Sequence, residues 1–533
     1  MSGQAADSAD AVVIGAGPNG LVAANLLADA GWSVLVLEAA DAPGGAVRTA
    51  EVTAPGFRND LYSAFYPFGV ASPVLVGLEL ERYGLRWRHA PAVLAHVLPD
   101  DRCALLSKNV AETAESVAAF AASDAQAWSQ EFLTWQRVRR DLLDALLRPF
   151  PPVRAASRLL RGLGSAESVR LARLATLPVR RLGEERFAGQ GAQLLLAGNA
   201  LHTDLGPDST GGGLFGWLLA MLGQDVGFPV PEGGAEAITT ALLRRLQARG
   251  GRVACGRGVN RVLVAGGKAL GVRDVTGGLV RAHRAVLADV PAPALYLGLV
   301  GADHLPPRLV RDLEHFQWDN ATIKVDWALS SPIPWTAEPA GQAGTVHVGA
   351  DLNGLTSYSA DLHCGRVPKK PFLVVGQMTT ADPSRSPAGT EAAWAYTHLP
   401  HGRRWNSSEL RRHVERMEQV LEHHAPGFRD RILARHIAGP PDMERSNPSL
   451  VNGALGGGTS AVHQGLIFRP VPGLARADTP IDRLFLASAS AHPGGGVHGA
   501  PGANAARAAL ARAGMGGACY AAAVRGAHRL IYG

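Results

Sequence analysis

Cysteine is scarce: in 533 residues there are four, Cys103, Cys255, Cys364 and Cys519, all far apart. No Cys-x-x-Cys pair exists, which excludes a dithiol redox motif and a zinc ribbon and suggests a reducing compartment such as the cytoplasm. Long apolar runs are also missing. The longest strongly apolar stretch, LFGWLLAMLG at 214–223, is too short to cross a bilayer, so a soluble or peripheral protein is expected. The first ten residues are polar and acidic and lead straight into a strand, so neither a secretory nor a twin-arginine signal is expected. There is no Gly-x-Ser-x-Gly elbow and no P-loop. His423 with His424, or His492 with Asp482, could suggest a metal, but no His-x-x-x-His pair has a third ligand nearby, and none is expected.

What is present is a globular composition, 47% apolar and 18% charged, with length for two to four domains or one large domain with a discontinuous partner. The net charge of +6 is concentrated between Arg137 and Arg186, where twelve arginines face five acidic residues, and the rest of the chain is close to neutral. Leu and Ala separate these arginines, and Pro149, Pro151 and Pro152 interrupt them, which predicts several short amphipathic helices. Their basic side is either a solvated face or a surface for anionic lipid. Aromatic residues are absent over most of the run, which argues against nucleic acid.

The most informative stretch is AVVIGAGPNGLVAANLLADAGWSVLVLEAADAPGG, residues 11–45. Ala11 to Ile14 reads as a buried parallel strand. Gly15 permits a tight turn, Gly17 a close backbone approach to a pyrophosphate, and Gly20 helix–strand packing. Pro18 and Asn19 begin a helix, to about Ala30, whose amides and dipole face that phosphate; Gly31 ends it. Ser33 to Leu37 is a second buried strand, and Glu38 at its end suits an adenosine ribose. Gly44, Gly45 and Arg48 follow in the pattern E-x5-G-G-x-x-R-T. That pattern resembles the second phosphate signature of FAD enzymes in the glutathione-reductase and amine-oxidase superfamilies. The glycines would bring further amides to the pyrophosphate, and Arg48 a charge-assisted contact. No second strand–Gly-x-Gly-x-x-Gly–helix unit occurs, so one dinucleotide, FAD, is expected and a separate NAD(P)H domain is not.

Downstream, Glu236 to Arg249 reads as a helix closed by Gly250 and Gly251. Strands are predicted at Arg252–Ala254, Val259–Val264, Ala269–Val275 and Ala285–Ala288. Near the end, Leu484–Leu486 reads as a strand, followed by HPGGGVHG at 492–499 and an alanine-rich helix through Arg512. Glycines before a helix again expose amides to negative charge. Amides around Gly495, Gly496, Val497 and His498 are placed to stabilise the N1–C2=O edge of a reduced flavin, a contribution of roughly 3 kcal/mol for a preorganised donor. His498 is the one catalytic side-chain candidate; donation to a neighbouring carbonyl is its alternative role.

The blocks VVIGAGPNGLVAANLLADAGWSVLVLEA, PGFRNDL, PEGGAEAITTAL, HAPGFRDRILARHIAGPPDMER, FRPVPG and AHPGGGVHGAPGANAARAAL run from residue 12 to about 512. Together they resemble the phytoene desaturase-like flavoproteins. The similarity is to the phytoene dehydrogenase-related branch, labelled pyridine nucleotide-disulfide oxidoreductase domain-containing protein 2, although these cysteines permit no redox-active disulfide. The resemblance implies an α/β fold: a discontinuous Rossmann-like FAD-binding domain from 8–70, 228–300 and 440–515, and a second α+β substrate domain from 71–227 and 301–439. A tail, 516–533, follows. It further implies that the backbone at Val259 meets the adenine, that ATIKVDWAL and PFLVVGQM belong to an antiparallel sheet, and that an apolar substrate loses a hydride at the domain seam. Residues 357–387 read as turn-rich. Where related enzymes have Gly-Phe-x-Phe-Asp-x-Gly, this chain has Asn59 and Tyr62 at the second Phe and last Gly positions, which argues against a long polyene. Three rivals stay open: a flavin-containing amine oxidase, for which Cys519 is poorly placed as a covalent anchor, a redox-neutral isomerase, and a non-catalytic flavoprotein at a membrane.

Overall fold

The computed structural model describes residues 7–533. Two seven-stranded sheets organise the chain. In the first, β1 (Asp7–Ile14), β2 (Val34–Leu37), β3 (Arg252–Ala254), β4 (Val259–Ala265), β5 (Lys268–Asp274), β6 (Leu279–Ala288) and β7 (Leu484–Leu486) run in the order β4-β5-β6-β1-β2-β3, with β7 beside the end of β6. Contacts from β7 through β6, β1 and β2 to β3 are parallel, while β4, β5 and β6 form an antiparallel extension.

The register decides where a site can form. Leu486, Ala288, Ile14, Leu37 and Ala254 lie in one row across the parallel strands. β1 has β2 on one side and β6 on the other, so the chain leaves its carboxyl end at a topological switch point, where open α/β sheets bind ligands. Helices α1 (Pro18–Asp29), α2 (Glu236–Gln247) and α3 (Ala500–Ala513) cover one face through Leu21, Leu27, Ile238, Leu242, Ala503 and Ala506. The opposite face buries Val12, Ile14, Leu35 and Leu37 against the β4–β5 hairpin and the segment 295–313.

The second sheet takes its strands from 432–438, 321–329, 391–399, 373–377, 343–348, 92–97 and 103–106, in that spatial order. It is antiparallel except where 343–348 pairs with 92–97. One face packs under the helices Gln190–Ala200 and Gly212–Val226, and the other under the helix Ser407–His424. Residues 352–363 form a helix rather than turns, because the Asp351 carboxylate caps it by accepting from the Gly354 amide at 2.8 Å. Arg385 and Asp60, both fully buried, pair at 2.6 Å, and Arg385 Nε donates to the Arg58 carbonyl, locking the two parts of the chain together.

The arginine-rich stretch differs from the several short helices expected. It begins in a 24-residue helix, Asp124–Leu147, continues in Val153–Leu174, broken at Gly164, and ends in Val179–Arg186. Trp128, Trp135, Val138 and Leu142 anchor the long helix in the core, so burial and not the local sequence sets its length. Among the described residues no helix is long and apolar enough to cross a membrane.

Candidate dinucleotide site

Every segment leaving the aligned row of strand ends reaches the same place. Gly15 (φ +91°) makes the turn, its amide donating to the Leu37 carbonyl at 2.8 Å. Gly17 caps α1 without a side chain of its own to satisfy the amides behind it, and Pro18 is the first helical residue. A Cβ on Gly20 would lie 2.2 Å from the Gly15 carbonyl oxygen, so that glycine allows the helix to close on the strand. A Cβ on Gly17 would lie 2.6 Å from Asp289 Oδ2, so its bareness also makes room for the carboxyl that follows β6.

Glu38 accepts from the Ala16 amide at 2.7 Å and the Ala40 amide at 2.9 Å, which holds its carboxylate over the turn. The 44–45 loop lies on top, with the Gly44 amide donating to the Ala16 carbonyl and a Gly45 Cβ direction 3.0 Å from Gly17 Cα. Arg48 is half-buried, and its guanidinium has no hydrogen-bond or ion-pair partner among the described residues. Asn19 Oδ1 is buried without a donor. Val259 opens β4 on the far side, where the Arg257 amide donates to the Glu38 carbonyl at 2.7 Å and Gly258 faces Ala39. Tyr62 turns its hydroxyl to Ser446 Oγ at 2.6 Å, and Asn59 is buried against Thr53.

The carboxyl-terminal loop arrives against the same helix. A Cβ on Gly502 would sit 1.9 Å from the Asn19 carbonyl oxygen, so α1 and α3 touch backbone to backbone within their first turns. Gly495 and Gly496 are exposed, and the amides of Gly495, Gly496 and Val497 donate to no group among the described residues. The His498 amide is different, bonding back to the Gly496 carbonyl at 3.0 Å.

The His498 ring has no free nitrogen. Nδ1 accepts from the Ala500 amide at 3.1 Å, so Nε2 carries the proton and donates to the Gly495 carbonyl at 3.2 Å. Burial, with Arg469 nearby, lowers its pKa to about 4. This is the carbonyl-donating role, not that of a general acid or base, and it shapes the loop. Ser72 Oγ donates to the His498 carbonyl at 2.6 Å, and the Phe68 ring stands edge-on to the imidazole.

Three groups escaped the sequence reading. Arg469, inside the FRPVPG motif, is buried beneath the glycine loop and donates to the carbonyls of Ala489, Thr459 and Gly456 at 2.8–3.1 Å. Asp319 grips the neighbouring turn, accepting from the amides of Leu455, Gly456 and Gly458, and burial pushes its pKa up to about 6. On the second sheet, Lys324 and Asp326 form a buried ion pair, and the Lys324 ammonium lies 5.6 Å from the Trp394 ring centroid. Phe65 packs on Trp394, two residues from Ser63, whose hydroxyl donates to the Ala46 carbonyl beside the second glycine pair. An i, i+2 pair in a strand shares one face, so the IKVDW run did carry this signal.

These residues fit FAD. The Gly17 and Asn19 amides at the start of α1 and the Gly45 amide of the 44–45 glycine pair are left for phosphate, Arg48 supplies an unpaired cation, Glu38 is fixed at the end of β2, and the 495–497 amides are free for a flavin edge. A profile of the NAD(P)-binding Rossmann-like domain family matches residues 13–75. The chain is 28% identical to mouse pyridine nucleotide-disulfide oxidoreductase domain-containing protein 2, over 93% of this chain and 92% of that protein. It is 25% identical to the neurosporene-forming phytoene desaturase of Cereibacter sphaeroides, over 93% of each. An oxidoreductase structure from Methanosarcina mazei superposes with a TM-score of 0.63 at 17% identity, covering 94% of this chain and 99% of that one. Along nearly its whole length, therefore, the chain is similar to pyridine nucleotide-disulfide oxidoreductase domain-containing protein 2 and to phytoene desaturases.

Proposed function

We propose that the chain takes a hydride from a C–H bond of an apolar small molecule, with FAD as the hydride acceptor. The observation that carries this reading is the backbone contact of α1 with α3 at Asn19 and Gly502, together with the 495–497 loop before α3, whose amides have no acceptor among the described residues. In this reading the FAD-binding part is assembled from 8–70, 228–300 and 440–515, and the substrate part from 71–227 and 301–439. The turn 15–20, Glu38, Gly44, Gly45, Arg48 and the Val259 backbone bind the dinucleotide, and the amides of Gly495, Gly496 and Val497 stabilise negative charge on the reduced ring. His498 is a positioning residue. Burial by aromatic and apolar side chains around Phe65 and Trp394 excludes water from the seam.

The test is an absorption spectrum of the purified protein, followed by anaerobic mixing with candidate apolar substrates. The expected result is a bound-flavin spectrum that bleaches with stoichiometric formation of a desaturated product. Bleaching by amines alone would favour an amine oxidase, turnover without any acceptor an isomerase, and no reduction by any substrate a non-catalytic role.

A membrane contact rests on a separate observation. Eight of the twelve arginines between 137 and 186 are ion-paired, leaving Arg137, Arg140, Arg154 and Arg161 exposed and unpaired among the described residues. Val153, Leu160 and Val169 are more than half exposed on the helix Val153–Leu174, which also carries Arg154 and Arg161. Deleting 137–186 would remove core side chains, so replacement of the four free arginines by glutamine is the cleaner test. Each contact with an anionic surface is worth about 1 kcal/mol, so partitioning onto phosphatidylserine vesicles should fall at least tenfold. Unchanged partitioning removes the membrane from the proposal.

A further inference from the structure

Asp289 follows β6 directly and has no role in the reading above. Its amide donates to the Ile14 carbonyl at 2.8 Å, and its own carbonyl oxygen lies where a Gly15 Cβ would be, at 2.8 Å. Its carboxyl turns into the glycine turn, where Oδ2 accepts from the Gly20 amide at 2.8 Å. One of the few amides at the start of α1 is therefore taken by a carboxyl from the chain itself. The turn 15–20 brings no charged side chain to it, and neither do Ala487 and Ser488 on the adjoining strand. The charged group that acts on it is Glu38, another carboxylate.

A dinucleotide here would place two phosphate charges beside two carboxylates. Glu38 is held by two amides, whereas Asp289 has one amide and no cation. We propose that Asp289 couples FAD binding to the uptake of one proton: the dinucleotide seats on the neutral carboxylic acid, and the ionised form drives it out. This rests on the FAD reading and adds to it a positioning residue whose charge state sets cofactor affinity. Burial and the Glu38 carboxylate already hold Asp289 up at about 7, so the proton is exchanged near neutrality. The sign is fixed: phosphate beside it raises the pKa further, so the complex holds the proton that the free protein releases.

The full-length chain, depleted of flavin, is titrated with FAD across a range from about pH 6 to about pH 9. The dissociation constant is expected to rise about tenfold for each pH unit above neutrality. For Asp289→Asn, which keeps an acceptor for the Gly20 amide without the charge, the profile is expected to be flat. Calorimetry of the natural chain in two buffers of different ionisation enthalpy covers the case of a variant that does not fold; binding above neutral pH should take up close to one proton. Parallel profiles for both proteins, or no proton uptake, overturn the proposal while leaving FAD binding intact. Absence of FAD binding at every pH would instead overturn the dinucleotide reading.

Discussion

Replacing Gly502 by valine is expected to give a colourless protein. The α-hydrogen of Gly502 faces the Asn19 carbonyl so closely that even a methyl group would fall 1.9 Å from that oxygen. The obstacle is backbone, on the first turn of α1, and cannot rotate away. Either α3 retreats or α1 tilts, and both movements separate the 495–497 amides from the 15–20 turn. Overpacking of this kind costs about 1–3 kcal/mol, occasionally more. The cofactor feels the displacement twice, once at each end, so the flavin-to-protein absorbance ratio should fall at least tenfold. Gly526→Ala is the matched control, since that helical glycine has nothing within 4 Å of its Cβ direction. It should retain full flavin and gain slightly in helix stability. A yellow Gly502→Val protein with normal flavin content would mean that the two helix ends do not share one ligand.

The contrast between Gly502 and Asp289 shows what could be read from the sequence and what could not. The first turn is encoded locally: strand, glycines, helix and acid lie within 30 residues, and each has a backbone reason to be there. β1, α1, β2 and α3 accordingly form within a few residues of their sequence-based limits. Asp289 enters the same turn from 269 positions away, brought by the parallel pairing of β6 with β1, and no local pattern marks it. Arg469 is similar, since its acceptors are carbonyls that any sequence supplies. Lys324 and Asp326 show an intermediate case. Their shared strand face was legible, but the helices that bury it come from 190–226, far from the strand. The long helix from Asp124 escaped because its length follows from tertiary burial of Trp128 and Trp135.

Arg469→Met is expected to be the most damaging single substitution outside the glycine turns. The guanidinium binds carbonyls on two segments, at Gly456 and Thr459 and at Ala489, and it lies below Gly494, whose Cβ direction points at Nε from 3.2 Å. Burial lowers its pKa to about 10, with Asp319 and Asp204 opposing that shift, so it stays charged at neutral pH. Methionine keeps part of the volume but strands several buried acceptors, each at a cost of about 1–3 kcal/mol, so a loss of about 3–5 kcal/mol is expected in denaturant melts. Lysine should recover only part of this, because a single ammonium cannot reach three separated carbonyls in the plane of the fork. The flavin would register the change independently. Without this buried cation, and with the 494–497 loop released from its floor, negative charge on the reduced ring is less well stabilised. The flavin midpoint potential of any Arg469→Met protein that retains cofactor should therefore fall, while its oxidised spectrum stays close to that of the natural chain. An unchanged potential would show that Arg469 supports the loop mechanically and contributes nothing to the field at the ring.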